Sequence, residues 1–146
     1  MSRDWLSDIN YMHDYYGFHE AVDNLNPEMM KKYLEFRVKF LQEELDELKD
    51  AKTTDDVVDA LIDLCVVAIG TLDLFGVDAE LSWNEVFRAN MNKRVGVKAN
   101  RPNPLGLPDL MKPEGWKDPD HSDHYHGHLE SFLPREKLYE DDEIDN

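Results

Sequence analysis

Between Thr53 and Arg88 the chain contains no lysine or arginine, yet this stretch holds its most apolar segment. Every residue of the run LCVVAI, from Leu64 to Ile69, is apolar. A helix over residues 55–75 is therefore apolar all round at this point and must be covered on every side. Thr54 can cap its start, and Gly76 stands where glycine commonly takes a positive φ after a helix. A small helical domain covers such a helix most easily with a second subunit. The same helix carries Asp56, Asp59 and Asp63, which flank the core candidates Val58, Leu61, Ile62 and Cys65. An ionised carboxylate amid a core stripe is costly unless something pairs with it. With no cation nearby in sequence, the partner comes from another element or is a metal ion.

The rest of the chain supplies further helices. With 146 residues it suits one domain with a real core. Trp5, Ile9, Met12 and Tyr16 stand at helical spacing over residues 3–16, and Gly17 ends that helix. Asn26 can cap a long second helix, with Pro27 in its first turn, that runs to about Ala51. Its apolar stripe is Met30, Leu34, Val38, Leu41, Leu45 and Leu48. A fourth helix spans residues 79–94. It begins at Asp78, or at the capping box of Ser82 and Glu85, and stops at Gly96. Residues 97–120 carry five prolines, Pro102, Pro104, Pro108, Pro113 and Pro119, which predicts an extended, stiffened loop. Residues 121–146 are His-rich and then acidic, and read as a flexible tail. No strand pattern stands out. The expected fold class is all-α, a four-helix bundle over residues 1–120 completed by homo-oligomerisation as a dimer or tetramer.

The second helix carries the acid that faces the aspartates. In FLQEELDELKD, Glu43, Glu44, Asp46, Glu47 and Asp50 fall within about two turns. Glu43 and Glu47 share a helix face, as do Glu44 and Glu47. A short connection makes the second and third helices antiparallel neighbours, so their acidic faces can meet. Oxygen-only ligands suit a hard ion, Mg²⁺ or Mn²⁺. The competing reading is a solvated acidic face, which is common on helical bundles.

Charge narrows the partners. The chain has 32 acidic and 16 basic residues, a formal charge of -16. That excess repels a nucleic-acid polymer but permits a nucleotide bridged by metal ions. Within residues 88–117 the balance reverses. Seven cations, Arg88, Lys93, Arg94, Lys98, Arg101, Lys112 and Lys117, stand against Asp109 and Glu114, a local charge of +5. Such a cluster can grip phosphate oxygens and offset charge on a leaving group. Alternatively, Lys93 and Arg94 simply complement a helix dipole. The single cysteine, Cys65, permits no intrachain disulfide and no Cys-based zinc cage, and reads as a buried thiol in a reducing compartment. The start lacks the apolar stretch of a signal peptide, and Asp59, Asp63 and Asp73 interrupt the best candidate for a membrane span. The expectation is a cytoplasmic protein with no membrane partner.

Four segments in order carry a resemblance. Glu43, Glu44 and Glu47 form an E-E-x-x-E motif, followed by DVVDALIDLCVVAIGTLDLFGVD, EVFRANMNKRVG and KPEGWKDPD. Over about residues 5–120 the chain resembles the MazG-like all-α nucleoside triphosphate pyrophosphohydrolases. It is most similar to their phosphoribosyl-ATP pyrophosphohydrolase-like, phage-type branch, for which the location would be the host cytoplasm. The resemblance implies Mg²⁺-dependent cleavage between the α and β phosphates of a (deoxy)nucleoside triphosphate, giving the monophosphate and diphosphate for nucleotide pool control. It implies Glu44, Glu47 and Asp63 as metal ligands, and Glu43 as a further ligand or the base for the attacking water. The broad family has an acid three residues before Asp63, where this chain has Ala60. Asp59, four before, takes that place in the D-A-L-x-D form. Asn90 and Lys93 resemble the family's phosphate-contacting N-x-x-K, with Arg94, Lys98 and Lys112 as further phosphate-binding candidates. Two alternatives remain: phosphoribosyl-ATP as substrate, or a non-catalytic divalent-cation-binding helical module.

Other residues invite roles. His121, His124, His126 and His128 could bind Zn²⁺ or Ni²⁺ adventitiously. Trp5, His13 and Phe18 could meet a nucleobase or simply fill the core. Trp116 could pin the proline-rich loop or close over a substrate.

Overall fold

A computed structural model describes residues 4–101 and 103–135. The architecture is all-α with one small strand pair. Five α-helices, α1 (Trp5–Tyr15), α2 (Phe18–Asp23), α3 (Pro27–Lys49), α4 (Thr54–Leu74) and α5 (Ala79–Met91), precede strands β1 (Arg94–Gly96) and β2 (Asp109–Met111) and a 3₁₀ turn at Leu129–Ser131. The chain divides into two compact units at Ala79, and His124–Pro134 returns to the first.

Helix boundaries in the first unit follow local chemistry. The Asn26 side chain accepts from the Met29 N–H at 2.8 Å, and Pro27 occupies the first turn of α3. The cap of α4 is Thr53, not Thr54: its hydroxyl accepts from the Asp56 N–H at 3.0 Å. Adjacent threonines are equivalent in sequence, and the extended backbone at Thr53 decides between them. Gly76, at φ 71°, ends α4 as expected, with its N–H on Asp73 and that of Val77 on Leu72. The six-residue α2 is too short to show a period in sequence. Gly17, at φ 75°, ends α1 as expected and leads directly into α2.

α3 and α4 run antiparallel along most of their length. Glu44 faces Asp63, and Arg37 bonds Val67 and Thr71, so contacts move up one helix as they move down the other. α1 and α2 pack on α4. Ile9, Val22, Met30, Ala60, Val67, Leu74 and Phe75 form the buried core of this unit. The Phe75 ring meets Tyr33 at 6.0 Å and Phe132 at 6.4 Å. The far side of α4 stays open in one chain, with Val58, Leu61 and Ile62 all exposed.

Phe132 comes from the segment read as a flexible tail. In the structure, His124–Pro134 lies on the first unit: the Asp78 N–H donates to the His124 carbonyl at 2.6 Å, and His128 bonds Asp23 at 2.7 Å. Few aromatics and many charges masked an anchor that consists of one phenylalanine and two histidines. Residues 136–146 of the expected tail, and Pro102, lie outside the described residues.

In the second unit, α5 stops at Met91, three residues short of the expected end. Arg94 therefore lies on β1, paired antiparallel with β2 in the register Arg94↔Met111, Val95↔Leu110, Gly96↔Asp109. Gly96 belongs to this ladder and does not cap the helix. A Cβ there would collide with the Met111 sulfur. Three-residue strands separated by a proline-rich connection give no alternation to detect. No single helix among the described residues is long and apolar enough to cross a membrane.

The two threonines separate experimentally. Thr53→Ala should destabilise the protein by about 1 kcal/mol, the worth of a helix cap, and Thr54→Ala should cost a fraction of that. Denaturant unfolding of both variants measures the difference.

Candidate active site

Glu44 is the centre of the acidic constellation. It is 8% exposed, and its Oε2 is the one buried side-chain nitrogen or oxygen among the described residues with no hydrogen-bond partner. Burial, then the charges of Glu47, Asp63, Glu43 and Asp59, holds its pKa above the ordinary 4.5. The structure thus brings together Glu43, Glu44, Glu47, Asp59 and Asp63 from α3 and α4. Glu43, Glu47 and Asp59 are exposed, and Asp63 is half-buried.

The Ala60 substitution has a local reason. Ala60 is buried on the inner face of α4. Asp59, one position round the helix, opens instead into a hollow of about 300 Å³ that it shares with Asp46, Glu47, Asp50, Ala51, Asp56 and Ala60. Asp46 and Asp50 come from the same acidic run of α3 as the candidate site glutamates. The donor set is all carboxylate, and a buried orphan oxygen sits among four other acids. A hard divalent cation fits such a set, since it supplies the missing positive charge without needing nitrogen or sulfur.

In the second unit the cations divide. Arg88 is engaged by Glu85 at 3.0 Å, and Arg101 by Asp109 at 2.5 Å. The Arg88 hydrogen bond holds Glu85 below its ordinary pKa, and the Arg101 bond does the same for Asp109, with a lesser contribution from the charge of Lys98. Lys93 and Lys112 converge on one ring instead: their ammonium groups lie 5.2 and 4.9 Å from the centre of Trp116. The Trp116 indole N–H donates to the Ala89 carbonyl at 2.7 Å, so this side chain pins the proline-rich segment to α5. Asn90 accepts from the Lys93 N–H at 3.1 Å through its carbonyl. Arg94 sits on the small ladder and is exposed.

A polar cluster in the first unit was legible only in part. His13 is buried and its Nδ1 lies 2.7 Å from Asp73 Oδ2. His19 Nε2 reaches the same oxygen at 2.5 Å, and Asn10 donates to Asp73 Oδ1 at 2.9 Å. Burial pushes the Asp73 pKa up, but bonds from Asn10, His13 and His19 outweigh it and hold the carboxyl below 3.8. For His19, burial is likewise overcome by Asp14 and Asp73, and its pKa stands above 6.5. No spacing rule joins positions 13, 19 and 73 across three helices. The His13 and Phe18 rings meet each other at 5.7 Å, tilted by 45°. Trp5 is exposed beside an apolar groove of about 180 Å³ with Asp8, Ile9, Ile62, Cys65, Val66 and Ile69. Cys65, expected to be buried, is half-buried and lines that groove.

Glu44 gives the acidic site a measurable cost. A carboxyl with a raised folded pKa favours the native state while protonated, and that contribution is lost as pH rises above 4.5 through the raised value. Metal-free protein should therefore lose stability over that window, and Glu44→Gln should raise its melting temperature at neutral pH while abolishing the stabilisation by Mg²⁺. Thermal melts in EDTA and in Mg²⁺ test both.

Residues 16–90 match the family model described as phosphoribosyl-ATP pyrophosphohydrolase. No curated protein matches the chain.

Proposed function

Since the chain belongs to the phosphoribosyl-ATP pyrophosphohydrolase family, within the MazG-like all-α NTP pyrophosphohydrolase superfamily, we propose that it hydrolyses the α–β phosphoanhydride of a (deoxy)nucleoside triphosphate. Water adds to the α phosphorus, the bond to the bridging oxygen breaks, and the monophosphate and diphosphate leave. The observation that carries this reading is the buried, unpartnered Oε2 of Glu44 among Glu43, Glu47, Asp59 and Asp63. Divalent-cation dependence is general in the family, and Mg²⁺ or Mn²⁺ suits the oxygen donors.

In this reading Glu44, Glu47, Asp59 and Asp63 hold the cation, which when bound neutralises phosphate charge and acidifies water. Glu43 is exposed at the edge of the cluster, where it can orient the attacking water and take its proton. Asn90, Lys93, Arg94, Lys98 and Lys112 bind phosphate oxygens. Trp116 restrains two of these cations and so lowers the entropy they lose on binding. Phosphoribosyl-ATP is a second reading of the substrate, and the description of the matched family favours it. It has the same α–β linkage and would yield phosphoribosyl-AMP.

Diphosphate release from each dNTP, each NTP and phosphoribosyl-ATP, in Mg²⁺ and in EDTA, separates these readings. Hydrolysis should need the metal, and Glu47→Ala should abolish it. Glu43→Gln should lower kcat by about 10²–10⁴. Mg²⁺ binding without turnover of any of these substrates would leave a cation-binding module.

The protein acts as a homodimer or homotetramer in this reading. Val58, Leu61 and Ile62 form an exposed apolar row on α4, which a second subunit would cover. Light scattering should give a multiple of the 17.1 kDa chain mass. Leu61→Glu should shift that mass to the monomer, and an unchanged oligomer would place the interface elsewhere.

A further inference from the structure

The His13, His19 and Asp73 side chains make a second constellation, chemically unlike the all-carboxylate one. The three candidate ligand atoms lie within 4.8 Å of one another. They come from α1, α2 and α4. Both ring nitrogens already point at one carboxylate oxygen, His13 Nδ1 at 2.7 Å and His19 Nε2 at 2.5 Å. The supporting shell is also built. Asp14 Oδ1 lies 2.5 Å from the other nitrogen of His19, and Asn10 orients Asp73 through its second oxygen at 2.9 Å. A carboxylate behind a ligating imidazole is the usual way its ring and tautomer are fixed. The cluster is sheltered but reachable, with His13 3%, Asp73 15% and His19 23% exposed.

We propose that His13, His19 and Asp73 bind a borderline transition-metal ion of the Zn²⁺ class, with water completing the coordination. The ion would displace the proton shared along each nitrogen–oxygen contact. Tetrahedral bonds of about 2.0–2.2 Å to nitrogen and oxygen place the ligand atoms about 3.4 Å apart, so the rings would have to draw back from Asp73 by roughly 1 Å or a little less. Imidazole donors select Zn²⁺, Co²⁺ or Ni²⁺ over Mg²⁺, so this site and the carboxylate site would not compete for one ion. Ten residues of α4 separate Asp63 from Asp73, about 15 Å along the helix. The ion would tie α1 and α2 to the C-terminal half of α4. The proposal stands whether or not the chain hydrolyses nucleotides.

The test is calorimetric titration of the full chain, stripped of metal, with Zn²⁺ in excess Mg²⁺ to occupy the carboxylates, with Co²⁺ absorption as a second readout. The wild type should bind one Zn²⁺ per chain and melt higher, and Co²⁺ should give visible bands of imidazole ligation. His19→Gln should abolish binding. Asp14→Asn, which touches no proposed ligand atom of the ion, should weaken it by about tenfold or more and covers the case in which His19→Gln fails to fold. A variant with His121, His126 and His128 all changed to Gln should bind as the wild type does. No Zn²⁺ binding in Mg²⁺, binding that Asp14→Asn leaves unchanged, or binding lost with the three distal histidines would each overturn the proposal.

Discussion

The antiparallel seam between α3 and α4 is the constraint on which the first unit depends. Its closeness rests on small residues of α4. Ala60 is buried beneath the acidic end, and at Gly70 a Cβ would come within 2.9 Å of the Arg37 guanidinium and 3.2 Å of the His13 ring. The space that glycine leaves lets Arg37 reach the Val67 carbonyl at 3.0 Å and the Thr71 hydroxyl at 2.9 Å. Arg37 is buried, and its hydrogen bonds go to neutral acceptors. It also lies against the Phe40 ring at 5.4 Å. Those contacts fix the register of the two helices. The same register sets Glu44 opposite Asp63 two turns away.

The acidic end of the seam is a deliberate conflict. Packing alone would place an apolar side chain at position 44, and the chain instead buries a carboxylate with an orphan oxygen amid four like charges. A conflict of this kind lowers the stability of the bare protein and raises its affinity for anything that brings positive charge. In the reading proposed above, a bound divalent ion would relieve the native state and present positive charge to phosphate. The opposite end of α4 resolves its own polar burden internally, because Asp73 meets His13, His19 and Asn10.

The second unit handles charge differently. Arg88 and Arg101 are matched by Glu85 and Asp109, while Lys93 and Lys112 share the face of Trp116. An aromatic ring holds an ammonium without forming an ion pair, unlike the carboxylates that engage Arg88 and Arg101. The family match ends at residue 90, before both lysines and before Trp116.

Much of this was legible in the sequence because it is written in local periods. Helical spacing, the Asn26–Pro27 cap, the Gly76 stop, the E-E-x-x-E run and the acids of α4 all act within a few residues, and they suffice for the all-α class and the family. What escaped was short or distant. The six residues of α2 and the three-residue strands hold too little pattern, and Thr53 and Thr54 differ only in backbone angle. Asn10, His13, His19 and Asp73 meet across up to 63 residues of chain, and Phe132 reaches Phe75 from a stretch whose composition reads as unfolded. The sequence by itself determined which faces of which helices are apolar or acidic, since side-chain chemistry and a 3.6-residue period are local properties. Only the tertiary structure decided that, among the described residues, Glu44 is the buried acid with an oxygen left without a partner, because burial depends on how closely two helices approach, and that distance is set by contacts far apart along the chain.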